Sequence, residues 1–173
     1  MDQEKMQAAL QRADKAFAKR PEAARMSKVA TATVREGSRC EFSEDGWRFV
    51  ADMPEALGGT GAGPTPGTFA RAALSTCLAI GYSMRAAFLG VPLRSVEVEL
   101  RAQMDHRGIF CGQAQAPTYS GLTYIVTVDS DAPEADLQRV LDEADARSPY
   151  LFLFQTPQVL RREMKMVRSP ALA

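Results

Sequence analysis

Three cysteines, Cys40, Cys77 and Cys111, and one histidine, His106, are the side chains here suited to nucleophilic or metal chemistry. The cysteines are odd in number, form no CxxC pair and have no Cys/His ligand spacing, so they give neither a disulfide framework nor a zinc site. A lone histidine, with Asp105 beside it, reads as a surface residue and leaves no Ser-His-Asp triad. No metal and no cofactor are expected; any special chemistry falls to a thiol, to arginines and to carboxylates. Cys77 lies inside an apolar segment and has two readings. An unpaired cysteine packs as a small apolar residue, or it acts as a nucleophile where a cation or a helix N-terminus lowers its pKa. A helix starting at Pro66 would put Cys77 about three turns in, beyond the reach of the helix end. An arginine from another element would have to supply the charge.

Other groups have simpler readings. The glycine-rich run at 58–63 lacks the Lys-Ser/Thr of a P-loop and the spacing of a dinucleotide fingerprint, which argues against a phosphate cradle. Glu97, Glu99 and Arg101 read as the solvated face of a strand, and Glu143 with Arg147 as an i, i+4 helix pair. Tyr150, Phe152 and Phe154 belong to the core or an interface, or line an apolar substrate pocket.

The elements that must position these residues follow from periodicity. Met6, Ala9, Leu10, Ala13 and Phe17 recur at helical spacing, predicting an amphipathic helix over 3–19 that stops before Pro21. Val29–Val34, Arg39–Ser43 and Trp47–Met53 alternate or are β-branched, with Glu36-Gly37 and Asp45-Gly46 at their joints, and predict a three-stranded meander. Trp47, Phe49, Ala51 and Met53 share one face, which needs an apolar cover, and the helix announced by the loop Leu57–Pro66 is the expected one. Thr65 as a cap and Pro66 at the first helical position predict a helix from Pro66, ended by Gly90-Val91-Pro92. Phe69, Ala73, Cys77, Ile80, Met84 and Phe88 form its main stripe, with Ala70, Leu74, Leu78 and Leu89 beside it. A helix apolar around most of its girth is buried, and this one exceeds what a small sheet covers, which points to a second subunit.

Ser95–Met104 alternates with Val96, Val98, Leu100, Ala102 and Met104 inward, and Leu122–Asp129 gives another strand after a loop holding His106, Cys111 and Pro117. A helix starting at Asp131-Ala-Pro-Glu carries Leu137, Val140, Leu141 and Ala144 on one face and halts at Ser148-Pro149. Val159–Val167 reads as a last, charged strand. Strands joined by short turns, with helices kept to one face, make an α+β domain.

Composition agrees with one such domain. Of 173 residues, 46% are apolar and 24% charged, enough for a core and too apolar for disorder. Lys plus Arg equals Asp plus Glu at 21 each, so there is no basic field for nucleic acid. Ala72–Leu89 is interrupted by Ser75, Thr76, Ser83 and Arg85, and the first residues lack the apolar core of a secretory signal, so no membrane partner and a cytoplasmic location are expected. Residues 1–24 read as an N-terminal helical extension and 25–173 as the domain proper.

Four ordered segments carry a family resemblance: Ala30-Thr-Ala-Thr-Val-Arg-Glu-Gly37; Leu57-Gly-Gly59 with Gly63-Pro-Thr-Pro66; Phe69-Ala-Arg-Ala-Ala-Leu-Ser-Thr-Cys77; and Gly90-Val-Pro92 leading into Val96-Glu-Val-Glu99. Together they resemble the OsmC/Ohr superfamily over about residues 27–167. The resemblance implies an intertwined homodimer, with long central helices packed against antiparallel sheets and active sites at the subunit interface. It also implies a thiol peroxidase that reduces small organic hydroperoxides and draws electrons from a dithiol. Cys77 matches the reactive cysteine, and Arg35 the arginine that favours the thiolate and orients the peroxide. The family's resolving cysteine, which precedes a proline, is replaced by Ser148 before Pro149, and the Glu after the helix-opening proline by Gly67. Cys111 or Cys40 is then the candidate resolving thiol, or an external thiol does that work. The alternatives are a non-catalytic dimer binding a small apolar ligand, and a one-cysteine redox sensor.

Overall fold

In the computed structural model, which describes residues 3–111 and 118–167, the elements run in the order α1 (Gln3–Lys19), β1 (Thr31–Glu36), β2 (Arg39–Glu44), β3 (Trp47–Ala51), α2 (Pro66–Leu89), β4 (Ser95–Met104), α3 (Arg107–Phe110), β5 (Tyr119–Asp129), α4 (Glu134–Asp145) and α5 (Pro149–Gln155). Strands β1, β2 and β3 form one antiparallel sheet, with Phe42 opposite Phe49, and β4 and β5 form a second, with Val98 opposite Val126. The α+β class, the meander and both long helices agree with the sequence pattern. Pro117 lies outside the described residues.

The bounds of α2 follow from local chemistry. The Thr65 hydroxyl accepts from the Thr68 amide at 3.3 Å, Pro66 takes the first position, and Gly90 ends the helix in the left-handed region. One side of α2 forms the core: Leu74, Leu78 and Tyr82 are buried with Ala144 and Leu151, and Val96, Val98, Leu100, Tyr124 and Val126 pack onto them from the hairpin. Full burial of each leucine contributes about 1.5–3 kcal/mol. α2 is long and apolar enough to cross a membrane by length and composition, yet five of its residues are buried against other elements of the fold.

Three expectations change. The stripe through Cys77, Ile80 and Met84 is not covered by the described residues: the buried side is the neighbouring one, and Ile80 is 58% exposed. The meander is not roofed by α2, which meets it near Phe69, stacked 4.4 Å from Phe49; Trp47 lies open. Residues 157–167 form no strand, because strand structure depends on pairing and packing more than on alternation, and this segment is exposed throughout. Residues 149–155, for which the sequence suggested no element, form α5 instead. Ser148 accepts from the Leu151 amide at 3.2 Å and Pro149 opens the helix, repeating the Thr-Pro start of α2.

The glycine-rich loop is fastened by Asp52. This carboxylate, 1% exposed, accepts from the Ser38 hydroxyl at 2.6 Å, the Thr60 hydroxyl at 2.7 Å, and the amides of Met53, Thr60 and Ala62. Gly59 and Gly63 lie against β3 and its end: an added Cβ would meet the Met53 carbonyl oxygen at 1.9 Å or the Val50 one at 2.2 Å. The loop amides thus already hold an anion, the protein's own. The donated bonds, led by those from Ser38 and Thr60, keep the Asp52 carboxyl well below the usual carboxylate range. Because the folded value is depressed, the stability from Asp52 is complete above the unfolded value of about 4 and is lost as pH falls toward the folded one. Asp52→Asn should therefore melt below the parent at pH 7, and the gap should narrow as pH drops below about 4, read by thermal unfolding across that range.

Candidate active site

Cys77 sits on the open side of α2, half-buried, where the turn between α4 and α5 comes up against it. Its Sγ lies 3.7 Å from the Ser148 Oγ, and Ser148 is itself buried. The two residues share a cavity of about 390 Å³. Leu10 of α1 forms one wall, Ile80, Gly81, Met84, Arg85 and Phe88 of α2 a second, and Ala144, Arg147 and Pro149 a third.

The position of Ser148 is set from behind. The Tyr82 hydroxyl donates to Asp145 Oδ1 at 2.7 Å, and the Tyr124 hydroxyl to Oδ2 at 2.9 Å, tying the end of α4 to both α2 and β5. The Ser148 amide donates to the Asp145 carbonyl at 3.1 Å, so the anchored turn carries the serine with it. Burial, with the Asp145 carboxylate beside it, raises both tyrosine pKa values, so the hydroxyls remain protonated donors. α1 is held at its other end by side chains: Gln3 Nε2 donates to the Val91 carbonyl at 2.6 Å and Gln7 Nε2 to that of Phe88 at 3.5 Å. These bonds satisfy carbonyls at the end of α2 and bring Leu10 to the cavity.

Cys77 and Ser148 thus come together, and the other expected site residues stand apart from them within the chain. Arg35 is on β1, its side chain 76% exposed and 3.4 Å from Glu41, which Arg39 also engages. The bond from Arg39, with Arg35 adding charge, lowers the Glu41 pKa. Cys111 is exposed after α3, Cys40 is half-buried on β2, and all three thiols are free. Tyr150, Phe152 and Phe154 do not line the cavity: Phe152 is largely exposed, and Phe154 packs on the core near Tyr119. The cavity instead takes Ser148 and Pro149 from the same segment. At Gly67 no carboxylate is present, and a Cβ added there would meet Arg71 Nη1 at 3.3 Å. Among the described residues, no group of three His, Cys, Asp or Glu side chains could hold a metal ion.

Two cavity residues escaped the sequence reading. Arg85 interrupts an apolar run, and Arg147 is accounted for by its pair with Glu143. The spacing Cys77, Gly81, Arg85, at i, i+4, i+8, put Arg85 on the thiol's face of the helix, and Arg147 carried no such signal.

The family model described as OsmC-like protein matches residues 59–161, more than half of the chain and the part holding α2, both strands of the hairpin and the Ser148 turn. The chain belongs to the OsmC-like family. An OsmC-like protein from Mycoplasma pneumoniae shares the fold at a TM-score of 0.63 and 15% identity, over 75% of this chain and 88% of that one. An organic hydroperoxide resistance protein from Legionella pneumophila aligns at 0.56 and 14%, over 75% and 90%. Another, from Elizabethkingia anophelis, aligns at 0.55 and 17%, over 76% and 89%. No curated protein matches the chain. At these identities the likeness is one of fold.

The Cys77–Ser148 approach is directly testable. Ser148→Cys places a second thiol where the hydroxyl stands, and mild oxidation should then form an intramolecular disulfide, read as the loss of one pair of hydrogens in intact mass. The parent protein should show no such change. Tyr82→Phe removes one of the bonds to Asp145 and should lower stability by about 1 kcal/mol in denaturant unfolding.

Proposed function

We propose that this OsmC-like protein is a cysteine-dependent organic hydroperoxide reductase of oxidative stress defence, working as a cytoplasmic homodimer with an external dithiol as reductant. The observation that carries the reading is the seat of Cys77: a thiol on the central helix, at the wall of a largely apolar cavity, with a hydroxyl and no second thiol beside it. In the first step the Cys77 thiolate attacks the distal peroxide oxygen, the S–O bond forms as the O–O bond breaks, and the leaving alkoxide takes a proton to depart as alcohol. Cys77 is left as a sulfenic acid. One thiol of the reductant then displaces water to form a mixed disulfide. Its second thiol releases Cys77 and leaves as the oxidised dithiol. Ser148 cannot close an internal disulfide, which is why the resolving sulfur comes from outside; Cys111 is the internal competitor for that role.

Arg35 is assigned to the site of a second copy. In favour of this are the apolar faces that one chain leaves open: Ile80 and Met84 on α2, Val34 and Phe49 on the meander, and Val159, Leu160 and Met166 near the end. A meander laid over the partner's α2 would cover apolar surface on both and carry Arg35 toward Cys77. Glu41 would hold the guanidinium in place of the carboxylate absent at Gly67. The extension at 1–24 then serves as a wall of the cavity through Leu10.

The test is intact mass after one equivalent of cumene hydroperoxide with dimedone present. Labelling should be complete in the parent, absent in Cys77→Ser, and slower by roughly tenfold or more in Arg35→Ala, the equivalent of about 1.4 kcal/mol in the barrier. Gel filtration with light scattering should give twice the chain mass. A thiol that neither labels with dimedone nor alkylates in the folded protein would sink the peroxidase reading and leave a binding dimer. A hydrogen-pair loss that disappears in Cys111→Ser would make Cys111 the resolving residue.

A further inference from the structure

The Ser148 hydroxyl makes two contacts, and its chemistry decides which way each runs. Its oxygen caps α5 by accepting from the Leu151 amide at 3.2 Å, and it lies 3.7 Å from Cys77 Sγ. An amide N–H only donates, so the hydroxyl hydrogen takes no part in the cap. Ser148 is 8% exposed, and among the described residues its oxygen has no other protein partner. The hydrogen therefore has one protein acceptor within reach, the Cys77 sulfur. Once that sulfur ionises it has no hydrogen of its own and can only accept, which leaves the serine as the donor. The orientation is held from behind: the Ser148 amide is bound to the Asp145 carbonyl at 3.1 Å, and the Tyr82 and Tyr124 hydroxyls hold the Asp145 carboxylate. The charged groups that share the cavity are Arg85 on α2 and Arg147 just past α4. Glu143 of α4 and Asp14 of α1 act on Arg85, and α1 itself reaches the cavity through Leu10.

We propose that Ser148 is a catalytic residue, whose hydroxyl donates to the Cys77 thiolate and holds it for attack on the peroxide. The inference rests on the peroxidase reading and adds to it a group that touches the reacting sulfur. A hydroxyl in this place cannot resolve a sulfenic acid, but it supplies a charge-assisted hydrogen bond, stronger than one between neutral groups. That bond favours the ionised sulfur over the thiol. It also dampens the nucleophilicity of each thiolate, though by less than it raises their number, because nucleophilicity follows basicity with a slope of only about 0.4–0.5. Ser148 keeps its hydrogen throughout. The sulfur's electron pair forms the S–O bond as the O–O bond breaks, and the alkoxide takes its proton from solvent.

The test is the rate of Cys77 alkylation by iodoacetamide from about pH 6 to 10, resolved from Cys40 and Cys111 by peptide mass. In Ser148→Ala the midpoint of the profile should move up by about one pH unit while the plateau above it rises about threefold, so that well below the midpoint labelling is about threefold slower. Ser148→Gly, which removes the hydroxyl at little cost to the α5 cap, should match Ser148→Ala, and Ser148→Thr, which restores a hydroxyl, should lie with the parent. The guanidiniums and carboxylates around the cavity are common to all four proteins, so the difference between profiles reports the hydroxyl. A serine that only caps α5 would lower the melting temperature in Ser148→Ala and leave the midpoint in place. An unmoved midpoint in Ser148→Ala or Ser148→Gly, or one that Ser148→Thr does not restore, overturns the proposal, even where dimedone labels Cys77. A moved midpoint without dimedone labelling supports the serine's hold on the thiolate and overturns only the peroxidase reading. A thiol that never alkylates in the folded parent overturns both.

Discussion

A helix that is apolar around most of its circumference imposes a covering problem on everything else in the chain. For α2 the solution within one chain is one-sided. The β4–β5 hairpin, α4 and α5 bury Leu74, Leu78 and Tyr82, and α1 lies alongside, while the stripe through Ile80 and Met84 remains in contact with solvent. The reactive candidate, Cys77, belongs to that second side. A nucleophile on the covered side would be sealed in the core; on the open side it can be reached, and whatever covers the stripe also shapes the pocket. The meander has the complementary problem, with aromatic surface at Phe42 and Phe49 and little of α2 over it.

Two carboxylates do much of the positioning. Asp52 gathers hydroxyls and amides from the loop that leads into α2 and so fixes where that helix begins. Asp145 takes a hydroxyl from each of two tyrosines and fixes where α4 ends, one turn before Ser148. Neither touches the cavity. Between them they set the start of the helix bearing the thiol and the turn bearing the serine, so the 3.7 Å approach of Cys77 and Ser148 follows from anchors some distance away. The Asp145 anchor joins residues 63 and 21 apart in sequence, whereas the Asp52 anchor reaches no further than Ser38, 14 residues away.

That distinction explains what could be read in advance. Local signals were sufficient for α2, whose Thr65-Pro66 start and Gly90 end are written in adjacent residues, and for β4, whose alternation runs unbroken for ten residues. They were sufficient for Cys77 as a candidate, since its place in the apolar run is visible. They were insufficient for α5: Ser148-Pro149 is both a stop for α4 and a start for the next helix, and only the stop was taken. They misled at 157–167, where alternation without a paired neighbour produced no strand. Arg85 and Arg147 became cavity residues only once α4 was laid against α2, a relation that periodicity within either helix does not encode. The same holds for Arg35, whose chemistry was legible and whose distance from Cys77 was not.

The glutamines of α1 carry a further consequence, one of timing. Gln3 and Gln7 bind carbonyls 88 and 81 residues further along the chain, at the very end of α2. Those acceptors are defined only after α2 has closed its last turn, so α1 finds its seat only once the chain has been made as far as Val91. Until then an amphipathic segment of 17 residues has no core to bury its apolar face, and short isolated helices are marginal in water. The wall from Ala144 to Pro149 is made later still, so the seat of α1 is defined before the cysteine cavity that Leu10 helps to close.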